Sequence, residues 1–464
     1  MVHLRLSIIL LLLLSTYFGI YSSRVIFPEE AYLSKISKMY DSGLVEDNVT
    51  SRSPTGWLSD KATECLSLGV GLEKKSKFGD LFLDTYANPL TDYNPCGGLV
   101  SLSKGETQSI KTANYSRYWH GHATVTQWMA FFIGLPVLRN LIWLLNFLLI
   151  YLIFKESNLI VQTKRARLVV ISMLLTYLAL SDSADIHTSI THLFTNTFLF
   201  LTIRHFLTVI KKSNIKVAQT SFVLGSLYCF ILYGLNPQNI PIAILSWGLI
   251  ILLTSSNEPY NCLKKSILFL YGWGLGYATT FISKWLFVAL FTNYDIFKDV
   301  QAQVNHRTSQ NFSSLSGGVM QHLEFVSSLP VFMQAWAANF ATLLIHIIDP
   351  RYAEKNTVIF ISIALIVIIT FIVFVMLRAI NSKDSKLRIL VTINVASLVL
   401  ILLWYAILAQ HSFDHATYTF RSMVIWLGGF IATGIFILLD KSRWIDINIT
   451  GHKSTTTRYL RGEK

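Results

Sequence analysis

WMAFFIGLPVLRNLIWLLNFLLIYLIF, residues 128–154, carries one charged side chain, Arg139, and is followed by Lys155. A helix needs roughly 20 mostly apolar residues to cross the hydrocarbon core of a bilayer, so this stretch reads as a transmembrane span. The pattern recurs on both sides of it. Apolar runs occupy residues 6–21, 168–180, 190–210, 217–235, 240–254, 267–291, 357–377, 389–409 and 423–439. Together they predict an all-α, polytopic integral membrane protein of about ten transmembrane helices, because a helix satisfies its own backbone groups where water is absent.

Composition agrees. Of 464 residues, 52% are apolar and 14% charged, and mean hydropathy is +0.48. A soluble domain carries about 25% charged residues; so few charges cannot cover a water-facing surface, and membrane lipids must cover the rest. The aromatic content of 13% suits the two membrane interfaces. A net charge of +13 would suit a nucleic-acid binder, but the basic residues sit in short clusters between apolar runs, so no nucleic acid is expected.

Those clusters set the topology. Lys155 with Lys164, Arg165 and Arg167, then Lys211, Lys212 and Lys216, Lys264 and Lys265, Arg378 to Arg388, and the tail from Lys441 mark one side. The alternate loops near Asp182, Pro237 and His411 are nearly free of Lys and Arg, with Arg421 the exception. Both termini are therefore placed in the cytoplasm. The run at 329–348 would reverse the cluster at 378–388 if it crossed, so it reads as a re-entrant or interfacial helix on the outer side. The divisions are a first helix at 1–22, a large extracytoplasmic loop with amphipathic segments at 23–127, a membrane domain of about nine helices at 128–440 with a second outer loop at 292–356, and a tail at 441–464. The first run resembles a signal peptide, but no A-x-A site follows it, which favours an uncleaved helix. Cys65 and Cys96 share the large loop; on the oxidising side they can close a disulfide loop of about 30 residues, free or buried thiols being the alternative.

Ionisable groups near the outer helix ends are the candidate site, since such groups are costly at membrane depth. Asp60 and Glu64, and Asp80 and Asp84, have the spacing of one helix face, and a carboxylate there can be a general base or an ordinary solvated acid. Arg117 and His120 lie in Tyr115-Ser116-Arg117-Tyr118-Trp119-His120-Gly121-His122, which reads as an interfacial belt or as a site for an anionic group. No carboxylate or Cys pattern supports metal binding by His120 and His122, so no metal ligands are assigned and a divalent metal stays a bare option. Asp182 and Asp185 either contact substrate or cap the next helix. Lys284 lies about two turns, ~10 Å, inside the outer end of its span; it either snorkels to the interface or faces a polar cavity. Arg307 follows in the outer loop, and His411, His415 and Arg421 crowd the last one. P-loop, dinucleotide-fold, HExxH and GxSxG patterns are absent.

Tyr115 to His122, Gly276-Tyr277 through Lys284-Trp285, and His411 to Arg421 together resemble a group of bacterial membrane proteins similar to GT-C type glycosyltransferases. The resemblance implies a bacterial inner-membrane enzyme with a catalytic Asp in the first outer loop and basic residues that hold a lipid phosphate. Asp60 falls where that Asp is expected, although Ser59-Asp60-Lys61 stands in place of the usual acidic pair. The implied reaction is an inverting transfer, at the outer leaflet, of a sugar from a polyprenyl-phosphate donor to a cell-surface glycan or lipid-linked acceptor. Asp60 would be the base, and Lys284, Arg117, Arg307 and Arg421 would stabilise the departing phosphate. A surface-polysaccharide polymerase and a lipid or saccharide transporter (flippase) are the alternatives.

Overall fold

The computed structural model describes residues 2–47, 50–52, 58–72, 78–90, 94–161, 163–181, 183–185, 188–232, 236–255, 258–308, 330–347, 366, 370, 372–377, 381 and 385–439. Most of the run expected at 357–377, the tail at 441–464 and Asp182 lie outside the described residues.

Helices dominate. Helix α1 (Val2–Ser22) leads into the large loop, which contains α2 (Glu29–Asp41), α3 (Lys61–Gly69) and α4 (Pro95–Ser103). Two antiparallel two-stranded ladders interrupt them: β1 (Thr50–Arg52) with β2 (Leu58–Asp60), and β3 (Thr85–Pro89) with β4 (Ile110–Asn114). The loop ends in α5 (Gly121–Ile133). The bundle follows with α6 (Leu135–Ile160), α7 (Lys164–Leu180), α8 (Ile190–Val209), α9 (Asn214–Leu232), α10 (Asn239–Ala243), α11 (Leu249–Ser255) and α12 (Pro259–Phe291). It is completed by α13 (Ile296–Thr308), α14 (Val331–Ile347), α15 (Ser385–Ile407), α16 (Ala409–Asp414), α17 (Ala416–Thr419) and α18 (Arg421–Leu438).

Six helices among the described residues are long and apolar enough to cross a membrane: Arg5–Ile26, Leu135–Ile160, Asn214–Leu232, Pro259–Phe291, Ser385–Ile407 and Arg421–Leu438. Two shorter apolar helices, Ala166–Leu180 and Asn239–Thr254, join them. The all-α class and membrane-type helices therefore agree with the sequence. The stretch 128–154 behaves differently from its apolar composition. Gly134 adopts φ +81° and Pro136 sits in the first turn of α6, so the chain breaks there and the span starts at Leu135. Glycine tolerates this left-handed backbone, and proline is well placed where its missing N–H is not needed.

The α9–α12 pair explains Gly272 and Gly276 of Gly272-Trp273-Gly274-Leu275-Gly276. A Cβ on Gly225 would stand 1.9 Å from the Trp273 carbonyl oxygen, and one on Gly276 would stand 2.0 Å from that of Phe222. Small residues let the two backbones touch, which is how helices associate where no hydrophobic driving force separates them from lipid.

The large loop is tied to one end of the bundle. That end contains the C-terminal ends of α1, α7 and α12 and the N-terminal ends of α8 and α18, as the contacts below establish. At the opposite end the Lys265 ammonium donates to the carbonyls of Ile210 (2.7 Å) and Lys212 (3.2 Å), capping α8 where its last carbonyls lack helical partners. The loop carries a disulfide between Cys65 and Cys96, which joins α3 to α4.

Candidate functional site

Two buried carboxylates anchor the loop. Asp84 is wholly buried between β3 and the bundle. The Arg24 guanidinium donates to its Oδ1, while Lys284 Nζ (2.7 Å) and the Tyr21 hydroxyl (3.0 Å) donate to Oδ2. Lys284 also donates to the Phe82 carbonyl at 2.9 Å, and Arg24 to Thr124 Oγ1 at 2.6 Å and the His120 carbonyl at 3.2 Å. Asp84 thus links the ends of α1 and α12 to the loop. Its backbone fastens the next segment: Tyr115 N–H donates to the Asp84 carbonyl, and Asp84 N–H to Ser116 Oγ. The indole N–H groups of Trp119 and Trp285 donate to the Thr280 and Arg117 carbonyls, clasping residues 115–119 against the last turns of α12.

Glu64 is the second anchor. Arg139 from the first turn of α6 meets it with both Nε (3.0 Å) and Nη2 (2.7 Å), and the Ile190 amide at the start of α8 adds a third hydrogen bond. Burial would raise the Glu64 pKa, but the charges of Arg139 and Lys61 outweigh it and hold the carboxyl below the usual glutamate value. Asp60 and Glu64 therefore do not share a helix face as their spacing suggested: Asp60 ends β2, and α3 begins at Lys61. Asp80 and Asp84 differ likewise, one in a 3-10 turn and the other in the irregular chain just before β3.

Beside these anchors lies a cavity of about 320 Å³. Tyr86, Tyr115 and Arg117 line it from the loop, Gln303, His306 and Arg307 from α13, and Gln410, His411 and His415 from α16 and its end. Four residues singled out by sequence meet here: Arg117, Arg307, His411 and His415. Both guanidiniums lie over the ring of Tyr118, with Cζ to centroid distances of 5.8 Å for Arg117 and 5.7 Å for Arg307, an arrangement that favours cations. Arg117 also pairs with Asp299 of α13. His411 and His415 pack edge to face, 4.7 Å between centroids. Burial, reinforced by the Arg307 charge, pushes both imidazoles down, His415 to about 3, so both are neutral at neutral pH.

The other sequence candidates lie elsewhere. The Lys284 ammonium is held by Asp84 in the interior. His120 is buried next to that node, its Nε2 at 2.9 Å from the Tyr115 carbonyl, and burial lowers its pKa to about 4. Arg421 is 2% exposed; its Nη2 meets His192 Nδ1 at 2.8 Å and its Nε the Ser181 carbonyl at 3.4 Å. Asp185 is buried in the turn before α8, its carbonyl accepting from Thr188 N–H. Strand β2, which Asp60 ends, packs beside α17, directly after His415. Lys284 and Arg421 are not among the described residues that line the cavity. Sequence reasoning gave no role to Tyr86, Gln303, His306 or Gln410. The dense polarity of the segment 410–421 is the sequence signal that covers Gln410. Among the described residues no group of three or more His, Cys, Asp or Glu is arranged to hold a metal ion. No family model, curated protein or solved structure matches the chain.

Proposed function

We propose that the chain is a membrane-embedded glycosyltransferase that works at the outer end of the helix bundle. The donor is a sugar on polyprenyl phosphate, and the acceptor is a cell-surface glycan or lipid-linked saccharide. The observation that carries this reading is the cavity where Arg117 and Arg307 stand beside Tyr86 and Tyr115. Guanidiniums suit the oxygens of a phosphate, and flat aromatic faces suit a sugar ring. About 320 Å³ is within the range of small-ligand sites. The charge bias along the chain supports the same end lying outside, and the resemblance implies a bacterial inner membrane crossed by about ten spans.

In the reaction the acceptor hydroxyl oxygen attacks the anomeric carbon and the bond to the phosphate oxygen breaks. The hydroxyl proton passes to the Asp60 carboxylate, and the phosphate leaves as an anion stabilised by Arg117 and Arg307. The neutral His411 and His415 serve as hydrogen-bonding groups. No metal is required by this scheme.

The test is release of radiolabelled sugar from a polyprenyl-phosphate donor by the purified protein. Removing a positioned charge-stabilising donor costs about 10²–10³ in rate, so Arg307→Ala should fall by that much, and Asp60→Asn should lose turnover. Full activity in Asp60→Asn would remove Asp60 as the base. Turnover of no polyprenyl-phosphate sugar by the wild-type chain would remove the reading itself.

A further inference from the structure

The pairing of Arg117 with Asp299 is incomplete in a way that points to a ligand. The Arg117 side chain is 9% exposed and that of Asp299 15%. Both Asp299 oxygens are reached by one nitrogen of Arg117, Nη1, at 2.9 and 3.0 Å. A guanidinium offers five donors in a planar fork, and its strongest contact with an oxyanion uses two nitrogens in parallel. Arg139 makes that contact with Glu64 through Nε and Nη2. Arg117 does not: its Nε is buried with no hydrogen-bond partner among the described residues. An unmet buried donor is costly. Here it belongs to a side chain that lines the cavity.

We infer that Asp299 is a built-in competitor for Arg117, held by one nitrogen and opposed by the anionic head of a ligand in the cavity. The inference rests on the cavity being an anion site, as proposed above. A tetrahedral oxyanion that turns the Arg117 guanidinium toward the cavity can take the Nε donor that Asp299 leaves unmet. Its negative charge then lies within a few ångströms of the Asp299 carboxylate, and the two repel across the shared cation. Asp299 therefore weakens every anion at this site and makes release of an anionic product easier. Asp299 is also an ion-pair contact of α13 with the loop. Helix α13 stays in place when that contact opens, because Ile296 is buried in the apolar cluster with Phe82 and Val288 and Arg307 lies over Tyr118.

The experiment is titration of the detergent-purified full chain with inorganic phosphate by calorimetry, for wild type, Asp299→Asn, Arg117→Ala and Asp295→Asn. Asp295 is exposed just before α13, and its Oδ1 accepts from the Lys298 amide, so its variant controls for loss of charge beside the same helix. Asp299→Asn should bind roughly tenfold more tightly than wild type, which corresponds to ~1.4 kcal/mol. Arg117→Ala should lose binding, and Asp295→Asn should stay within about twofold. Phosphate bound by Asp299→Asn and not measurably by wild type would support the inference equally. If wild type binds, Arg117→Ala does not, and Asp299→Asn binds equally or more weakly, Asp299 positions Arg117 and the competitor reading is overturned while the anion site stands. If neither wild type nor Asp299→Asn binds, the anion site itself is wrong. Retention of wild-type gel-filtration behaviour checks folding, and Asp299→Ser replaces the Asn variant if that one fails to fold.

Discussion

Removal of the Asp84 carboxylate strands two cations at once. Arg24 and Lys284 both point at it, and side-chain exposure at the three residues is 3%, 0% and 0%. Breaking a buried ion pair from one side costs about 3–5 kcal/mol, because the remaining charge is left without compensation. Asp84→Ala should therefore lower the thermal unfolding midpoint in detergent markedly, by an amount equivalent to that range, and a fall of only a few tenths of a kcal/mol would show that the node is not a structural joint. Asp60→Asn should leave the same midpoint unchanged, which separates a structural acid from a chemical one. The contrast also measures what sequence could reveal. His411 and His415 stand out because polar groups crowd one short loop, and Arg117 because it sits among aromatic residues; both patterns are visible in one dimension. Asp84 is not visible in that way: its partners lie 60 and 200 positions away, and its regular spacing from Asp80 has no meaning in irregular chain. Lys284 stood out for its depth in a span, but depth alone did not say whether it served a ligand or a buried carboxylate.

Elements were legible where periodicity or composition was sustained and illegible where one backbone torsion decides. The apolar run 128–154 shows no interruption in hydropathy, yet Gly134 turns the chain and divides it into α5 and α6. The effect is to bring Arg139 into the first turn of α6, within reach of Glu64. In the large loop, hydropathy says little because the helices α3 and α4 are short; each has nine residues. Isolated helices of this length are marginal, so the cross-link between them matters. Cys65 and Cys96 are 31 positions apart, and closing a loop of that size in the unfolded chain is worth about 3–4 kcal/mol. Cys65→Ser with Cys96→Ser should lower stability by about that much in a chemical denaturation series. Because α3 also carries Glu64, reduced wild type should lose the same amount, and equal midpoints for oxidised and reduced protein would show that the loop holds its shape without the bridge.

At the scale of the whole molecule, the sequence expected about ten spans, and the described residues contain six helices that meet length and composition together. Most of the run at 357–377 lies outside the described residues, and Ala166–Leu180 and Asn239–Thr254 are shorter apolar helices; for α8 the source is physical. Helix α8 is interrupted by Thr, Asn, His and Arg side chains that are satisfied inside the bundle: Thr197 donates to Asn146 Oδ1 and Tyr177 to Asn196 Oδ1. Polar residues met inside a bundle lower hydropathy without preventing a helix from lying among spans. Topology therefore needs a measure other than hydropathy. The large loop meets the ends of α1 and α12 through Asp84 and the ends of α6 and α8 through Glu64, whereas Lys211, Lys212 and Lys265 gather at the opposite end. If positive charge marks the cytoplasm, Glu106 and Lys212 face opposite compartments. In a background of Cys229→Ser and Cys262→Ser, which keeps the Cys65–Cys96 bridge, Glu106→Cys should react with a membrane-impermeant maleimide in intact spheroplasts. Lys212→Cys should react only after the membrane is permeabilised. Both positions are exposed, so failure to label reports the barrier and not burial. Labelling in the reverse order would invert the bundle and move the cavity of Arg117 and Arg307 to the cytoplasmic face, where lipid-phosphate sugars at the outer leaflet could not reach it.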